Sequence, residues 1–237
     1  MSNFTLTAVI PVLNRPKNVE RFIKSFLDNT PLEKAELLFV TNESCKEEID
    51  EIKKFGESAN ILLAPDDIIS WGKRINYGVS FSEINTKFST PSSWILCGAD
   101  DVTFDSNWFF EAEKASLNFD GIIGTNDLGH PATTATVGGW HTTHPIVSRK
   151  YIMEQGIVDE KGKFCHEGYH HNYVDVEFVH TSMRRNCWKH VPTCIIEHHH
   201  PAWNKAISDD VYAKGQENVS ADQRLWAKRS AQFKLQG

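Results

Sequence analysis

Apolar runs alternate with amphipathic segments along the first half of the chain. Residues 5–13 are rich in β-forming side chains, and the next apolar positions recur at helical spacing, at Val19, Phe22, Ile23, Phe26 and Leu27. The same alternation predicts strands at residues 36–41, 60–64 and 93–104, helices around residues 49–55, 71–84 and 107–117, and a short apolar run at residues 121–124. Because alternating strands and helices imply right-handed crossovers, the pattern predicts an α/β fold with a mainly parallel central sheet flanked by helices.

The second half of the chain is less regular. Residues 126–143 are rich in Gly, Thr and His, which favours an irregular binding loop. Beyond them the pattern predicts a helix near residues 173–185, a strand near residues 188–197 and an amphipathic segment around residues 225–233. Since no repeat or flexible linker interrupts the sequence, we expect one domain over residues 1–200 with a C-terminal helical tail, residues 201–237, packed on it.

Net charge and apolar content limit the kinds of molecule that this protein is expected to bind. The chain has 237 residues and a formal net charge of −6, so bulk charge gives no general attraction to nucleic acid or anionic membranes. It has no run of about 18 apolar residues and no basic segment leading into an apolar stretch at the N-terminus, which predicts a soluble, cytoplasmic protein with no membrane partner. The five cysteines lack C-x-x-C spacing and are expected to be reduced and structural.

Two adjacent acids, Asp100 and Asp101, follow the apolar run "WILC". Two like charges side by side are costly to desolvate unless a cation or hydrogen-bond donors compensate them. Carboxylates are ligands for Mg²⁺ and Mn²⁺, whose shells substrate phosphates commonly complete. The alternative is a solvated turn, and a second pair, Asp66 and Asp67, follows another apolar run and competes for the same role.

Three consecutive histidines, His198, His199 and His200, follow the strand predicted near residues 188–197. If the strand extends through them, its period of two places His198 and His200 on one face. One imidazole would then complete a metal site with Asp100, whereas the alternative is a trio of surface histidines.

Asp175 and Glu177 lie two residues apart in the helix predicted near residues 173–185. They diverge by about 200° around the helix, so they should not share a role. A carboxylate that faces a binding crevice is suited to act as a general base for an acceptor hydroxyl. The alternative is an acid that the helix macrodipole stabilises at a helix start, without chemistry.

Four segments taken together resemble a known family. The stretches "AVIPVLNRPKNVERFIKSF", "GKRINYG", "WILCGADD" and "YVDVEF" are similar, in order and spacing, to motifs of family-two glycosyltransferases of the GT-A fold. The resemblance covers roughly residues 6–200. It implies a Rossmann-like nucleotide-diphospho-sugar transferase fold and transfer of a sugar from a nucleotide-sugar donor to an acceptor hydroxyl.

The resemblance also implies a set of site residues. The donor nucleotide would be bound by Pro11, Asn14, Arg15, Glu43, Asp67, Arg74, Asn76 and Asp100. A Mn²⁺ or Mg²⁺ ion would be held by Asp100, Asp101, His198 and His200. Asp175 would be the base that deprotonates the acceptor for in-line attack with inversion at the anomeric carbon. A UDP-sugar is the favoured donor.

The chain departs from the family pattern at two places. Gly98 stands where the metal-binding signature usually begins with an acid, and residues 41–44 are Thr-Asn-Glu-Ser rather than Asp-Asp-Gly-Ser. Two alternatives therefore remain: a nucleotidyltransferase of similar fold, and a non-catalytic sugar- or nucleotide-binding module with a decayed metal site. The first would need a Gly-rich loop after the first strand, and "PVLNRPKN" contains no glycine.

The acceptor is expected at the irregular segments, residues 138–145 and 165–171. There we assign Trp140, His141 and His170 to acceptor binding, with Trp140 available to stack on a sugar or base.

The last part of the chain resembles the ends of small glycosyltransferases encoded by tailed bacteriophages, some of which add sugars to hydroxymethylated bases in viral DNA. A protein of that kind would act in the host cytoplasm, and a DNA acceptor would need a local basic patch on an acidic protein. The candidates for that patch are Lys205, Lys214, Arg224, Lys228 and Arg229. The alternative is an ordinary solvated helix.

Overall fold

The apolar runs form one mixed sheet in the computed structural model, which describes residues 4–157 and 159–233. Its strands are β1 (Leu6–Pro11), β2 (Ala35–Thr41), β3 (Asn60–Leu63), β4 (Trp94–Cys97), β5 (Val102–Phe104), β6 (Ile122–Asn126), β7 (Ile146–Ser148) and β8 (Trp188–His198). They lie in the order β3-β2-β1-β4-β7-β6-β8-β5. β3, β2, β1 and β4 are parallel, as are β6 and β8, whereas β7 and β5 run antiparallel to their neighbours. The predicted α/β fold with a mainly parallel sheet is confirmed.

Helices cover both faces of this sheet. They are α1 (Pro16–Asn29), α2 (Lys46–Lys53), α3 (Trp71–Phe81), α4 (Trp108–Ser116), α5 (Pro131–Thr134), α6 (Arg149–Glu154), α7 (Val174–Arg184), α8 (Asp210–Glu217) and α9 (Val219–Phe233). One apolar core joins α1 and α4 to the sheet through Phe22, Phe26, Phe104 and Trp108. A second core on the other face contains residues of α3, α6 and α7. Every residue of β1 and β2 is buried, as expected for central strands covered on both sides.

Most predicted elements are present, and the differences lie in short ones. β5 and β7 each have only three residues and were not predicted as separate strands, and neither were α5, α6 and α8. Strands this short carry too few positions to show a period. Between the end of β6 and residue 143, the only helix in the described chain is α5, so the predicted irregular loop is confirmed.

The C-terminal helix α9 is joined to the preceding structure by two buried polar side chains. The Asp222 carboxylate accepts the backbone N–H groups of residues 170–172, at 2.8 to 2.9 Å. Arg229 is 4% exposed and forms ion pairs with Glu177 and Asp159, at 2.7 and 2.9 Å. The prediction that Arg229 belongs to an exposed basic patch is therefore wrong, because its guanidinium is buried in ion pairs with these two carboxylates.

All five cysteines are free, and four of them are buried. Within the described ranges, the helices are too short or too polar for any of them to cross a bilayer.

Candidate metal and nucleotide site

The carboxyl ends of β1, β2, β3 and β4 meet at one edge of the sheet, because these strands are parallel. Beyond β4 the chain turns through Gly98, whose carbonyl accepts the indole N–H of Trp71 at 2.9 Å. Asp100 and Asp101 follow, just before β5, and each is only 4% exposed. The solvated-turn interpretation is therefore wrong for this pair. Asp66 and Asp67 are exposed, so the competing pair is the solvated one.

Antiparallel pairing of β5 with β8 brings the histidines to the acids. Val102 lies opposite His198, and the backbone N–H of His199 donates to the carbonyl of Asp101 at 2.8 Å. The Nε2 atom of His198 is consequently 3.5 Å from Oδ1 of Asp101. His144, just before β7, places its ring edge-to-face against His198, with centroids 4.7 Å apart. Ligand atoms of Asp101, His144 and His198 all lie within 4.8 Å of one another.

Several polar atoms of this cluster have no hydrogen-bond partner although they are buried. Among the described residues, eight buried side-chain polar atoms have no partner, and four of them belong to this cluster: Asp101 Oδ1, His144 Nδ1, His144 Nε2 and His198 Nδ1. A fifth, Asp100 Oδ2, belongs to the adjacent acid. Leaving such atoms unsatisfied costs about 1–3 kcal/mol each, so their concentration at one point indicates an absent partner. Carboxylate oxygens and imidazole nitrogens suit Mn²⁺ and similar divalent ions, so the residues present fit a metal.

Arg15, at the start of α1, lies on the other side of the two acids. Its Nη1 atom is 3.1 Å from Oδ2 of Asp101 and 3.8 Å from Oδ1 of Asp100. Its Nε and Nη2 atoms form a bidentate pair with Asp209, both at 2.9 Å, and its guanidinium stacks on Tyr212 at 3.9 Å from the ring centroid. The Tyr212 hydroxyl also donates to Asp101 at 2.8 Å. The segment that begins α8 therefore covers the acid pair.

The electrostatics of the acid pair are unequal. Burial, and then the charge of Asp101, raise the pKa of Asp100 well above its usual value. Burial acts in the same direction on Asp101, but the neighbouring imidazole of His198 and the Tyr212 hydroxyl outweigh it and hold its pKa below the usual range. Burial lowers the pKa of His144 to about 3, so this imidazole is neutral and has a lone pair for a cation. Asp101 and His144 are thus in ligand-competent states.

Asp175 lies at the first turn of α7, beside His141. Its Oδ2 atom is 3.3 Å from Nε2 of His141, and its Oδ1 atom accepts the backbone N–H of Val176 at 2.8 Å. Burial opposes its ionisation, but these two partners outweigh it and hold the pKa of Asp175 below its usual value.

Glu177 points elsewhere on α7, as the helical spacing predicts. It is 2% exposed, pairs with Arg229, and accepts the hydroxyl of Tyr169 at 2.7 Å. Of the two acids, only Asp175 is therefore available to a substrate.

Two predicted donor residues on α3 are engaged in internal hydrogen bonds. Arg74 is 2% exposed, and it donates to the carbonyls of Val12 and Ile68, at 2.8 and 3.1 Å, and to the Asn42 side chain. Asn76 accepts the N–H groups of Phe164 and Cys165, both at 3.0 Å. These contacts hold the loops at the carboxyl edge of the sheet, which is a positioning role.

The remaining predicted donor residues surround that edge. Pro11 is buried at the end of β1, and Asn14 is exposed in the following turn with a left-handed φ of 56°. Glu43 and Asp67 are exposed beyond β2 and β3. The structure brings Arg15, Asp100 and Asp101 into contact, whereas Glu43 and Asp67 have no direct contact with that group among the described interactions.

The predicted acceptor residues lie at different places. Trp140 is 49% exposed and meets the edge of the His130 ring, and Trp203 meets that same ring at 5.8 Å. His141 is buried between this aromatic group and Asp175. His170 is bound by Asp222 on α9, with its side chain 57% exposed. Trp140 and His141 are therefore brought together near Asp175, whereas His170 belongs to the contact between its loop and α9.

His200 adjoins the cluster without being one of its three closest members. Its ring is 4.9 Å from that of His198, and its Nδ1 atom accepts the N–H of Ala202 at 3.1 Å. The sequence argument missed His144, Asp209 and Tyr212. The signal for His144 was its position in the His-rich stretch "GGWHTTHP", which we assigned only to the acceptor.

The fold of the chain is similar to the GT-A fold of solved glycosyltransferases. A mannosyltransferase from Pyrobaculum calidifontis, described in complex with GDP-Man and Mn²⁺, matches with a TM-score of 0.59 at 11% identity, over 81% of this chain and 56% of that one. Glucosyl-3-phosphoglycerate synthase from Mycobacterium tuberculosis matches with a TM-score of 0.56 at 11% identity, over 83% of this chain and 72% of that one. TarS from S. aureus matches with a TM-score of 0.52 at 10% identity, over 74% of this chain and 33% of that one.

The chain thus spans little more than half the length of the Pyrobaculum mannosyltransferase. No family model matches the sequence, and no curated protein does. Identities this low show the fold, and the chemistry of this chain has to be argued from its own residues.

Proposed function

We propose that the protein is a metal-dependent, inverting glycosyltransferase that moves a sugar from a nucleotide-sugar donor to an acceptor hydroxyl. The observation that carries the proposal is the buried cluster of Asp101, His144 and His198, with its unpartnered atoms, at the carboxyl edge of a GT-A sheet. Ligands of open α/β sheets bind at this edge. The mannosyltransferase is described with GDP-Man and Mn²⁺, and the mycobacterial synthase with Mn²⁺ and UDP.

The leaving group determines what the cluster has to do. When the bond between the anomeric carbon and the diphosphate breaks, its electron pair remains on a phosphate oxygen, where negative charge develops. A divalent ion held by Asp101 with histidines would stabilise that charge. Arg15 is a permanent cation beside the same acids, and its charge would add to that of the ion.

Asp175 is the proposed base. It accepts the proton of the acceptor hydroxyl while the acceptor oxygen bonds to the anomeric carbon on the face opposite the departing diphosphate, which inverts that centre. Its depressed pKa keeps it ionised at neutral pH, and its contact with His141 fixes the direction of the carboxylate. Trp140 and His130, on the far side of His141, provide ring faces and edges for an acceptor.

The sequence of the tail suggests a class of acceptor. A hydroxymethylated base in phage DNA is suggested by the resemblance of the tail alone. A decayed binding module is disfavoured, because the metal cluster has two imidazoles and a carboxylate in place despite Gly98. A nucleotidyltransferase is disfavoured by the turn after β1, which has no glycine to hold a triphosphate.

Thermal unfolding with a panel of nucleoside diphosphates and nucleotide sugars, with and without Mn²⁺, tests the donor site. A ligand at a hundredfold its dissociation constant adds about 2.7 kcal/mol of stability. For a chain of this size we expect the midpoint to rise by about 5 to 10 °C, with a UDP-sugar favoured.

The matched variants are Asp101→Asn, in the cluster, and Asp66→Asn, in the exposed pair. The metal-dependent shift should disappear in the first and persist in the second. A panel in which no nucleotide shifts wild type, at Mn²⁺ concentrations that bind, would overturn the proposal.

A further inference from the structure

His144 differs from the other histidines near the site in having no polar partner. It is 4% exposed, and both of its ring nitrogens are buried without a hydrogen bond. By contrast, His141 contacts Asp175, and His199 bonds the hydroxyl of Thr103 at 2.8 Å. A buried neutral imidazole carries one donor and one acceptor, and leaving both unsatisfied is costly. Both nitrogens of this ring are therefore free to interact with a ligand.

The backbone around His144 is held in place on both sides. Its carbonyl accepts the Thr125 hydroxyl at 2.8 Å, and the carbonyl of Pro145 accepts the N–H of Cys97 at 3.0 Å. These bonds tie the segment to β6 and β4, so the imidazole is presented from the sheet itself. Preorganisation of this kind is what a metal site needs from its ligands.

We infer that His144 is a direct metal ligand that, with Asp101 and His198, forms a site able to hold Mn²⁺, Co²⁺ or Zn²⁺ without a nucleotide and in preference to Mg²⁺. This inference concerns the metal of the proposed function, but it does not require that the protein transfer a sugar.

The geometry supports three ligands on one ion. Metal–ligand bonds of about 2.0–2.2 Å place adjacent ligand atoms about 3–3.5 Å apart. The three atoms are within 4.8 Å of one another, so shortening these separations by at most about 1.3–1.8 Å brings them around a common ion. Three ligands leave positions open for water or phosphate oxygens.

The donor set supports the metal preference. Two imidazoles and one carboxylate suit the borderline transition metals, whereas Mg²⁺ prefers oxygen ligands and usually depends on substrate phosphates. A site with a single carboxylate ligand and two nitrogens therefore favours Mn²⁺ over Mg²⁺ before any nucleotide arrives.

Binding of Mn²⁺ to metal-stripped protein, without nucleotide, tests the inference. The loss of the free Mn²⁺ signal in electron paramagnetic resonance gives the dissociation constant for wild type, His144→Ala and the neighbouring control His199→Ala. We expect His144→Ala to weaken binding at least about tenfold and His199→Ala to leave it within about twofold. Competition by Mg²⁺ should require at least about tenfold more ion in wild type than in His144→Ala.

A spectroscopic measurement separates direct ligation from an indirect packing effect. Bound Mn²⁺ should show hyperfine coupling to two imidazole nitrogens in wild type and to one in His144→Ala. His144→Asn, with thermal unfolding of the metal-free protein, serves if the alanine variant does not fold. The inference would be overturned if wild type, His144→Ala and His144→Asn bound Mn²⁺ with equal affinity, or if Mn²⁺ in wild type coupled to only one nitrogen. The panel of donor nucleotides tests the transferase proposal separately.

Discussion

Asp175 shows how one side chain acquires a role that its neighbour cannot have. It contacts His141 and the N–H of Val176, whereas Glu177 is enclosed by Arg229 and Tyr169. The helical angle between the two acids gives them different surroundings, and only the side chain of Asp175 is partly exposed. A base is tested by removing its charge without changing its shape.

We therefore expect Asp175→Asn to abolish transfer while donor and Mn²⁺ binding remain within about twofold of wild type. Removal of a general base typically costs about 10²–10⁴ in rate. The measurement is release of nucleoside diphosphate in the presence of acceptor, with Asp66→Asn as the control at an exposed acid. Full activity in Asp175→Asn would show that the base lies elsewhere.

The contact between His141 and Asp175 has a consequence for pH dependence. Since the base must be ionised, the turnover rate falls as pH drops through the pKa of Asp175, which is held below its usual value of about 3.9. In His141→Ala the burial of Asp175 is less fully offset, because the N–H of Val176 remains but the imidazole is lost, so the pKa of Asp175 should rise and the acid limb should move to higher pH.

Turnover measured from pH 8 to below the usual carboxylate pKa of about 3.9 checks this shift, and circular dichroism of each variant over the same range controls for unfolding. A lower rate in His141→Ala with an unmoved acid limb would mean that His141 binds the acceptor and does not set the ionisation of Asp175.

At the scale of elements, α9 fixes the loop that leads into α7. Asp222 is fully buried, and its carboxylate accepts three consecutive backbone N–H groups of residues 170–172. This loop ends at Tyr173, whose φ of 64° is left-handed, immediately before the helix that carries Asp175. The tail therefore contributes to the geometry of the proposed base although it lies far from it in sequence.

Asp222→Ala should destabilise the protein by about 2–4 kcal/mol at pH 7, because three backbone N–H groups lose the carboxylate that accepts them. The hydrogen bonds offset burial and hold the pKa of Asp222 below its usual value, so its contribution is present above pH of about 4 and is lost as pH falls through the lower folded-state pKa. Urea unfolding at pH 7 and pH 3 measures the free energy that Asp222→Ala removes at each pH, with Asp66→Ala as the exposed control. If the variant lost the same unfolding free energy at both pH values, this account would be contradicted.

The elements also show where sequence prediction succeeds. β1 and β2 are continuous buried runs, and α1 repeats its apolar residues every three to four positions, so their periods are visible in the sequence. β7 has three residues, yet its insertion between β4 and β6 is what carries His144 to His198. No local pattern encodes this strand order. Asp101 and His198 could be predicted from the ends of their own strands, but the third member of the cluster depends on a long-range pairing.

At the scale of the whole molecule, the net charge of −6 limits any DNA acceptor to a local contact. Of the five cations assigned to a basic patch, Arg229 is buried and Lys205 pairs with Glu197 at 2.6 Å. The exposed ones are Lys214 on α8 and Arg224 and Lys228 on α9. At most about three phosphates can therefore be neutralised there.

If DNA binds through this patch, the logarithm of its affinity should fall with the logarithm of salt concentration with a slope no steeper than about −2.7, since each phosphate contact contributes about −0.9. Fluorescence anisotropy with duplex DNA at several salt concentrations measures the slope. Replacing Lys214, Arg224 and Lys228 with alanine should bring it towards zero, whereas alanine at the exposed residues Lys17, Lys46 and Lys53 changes the net charge equally and should leave it unchanged. If the slope became equally shallow in both triple variants, net charge alone would govern the contact. The patch would then give no support to a DNA acceptor.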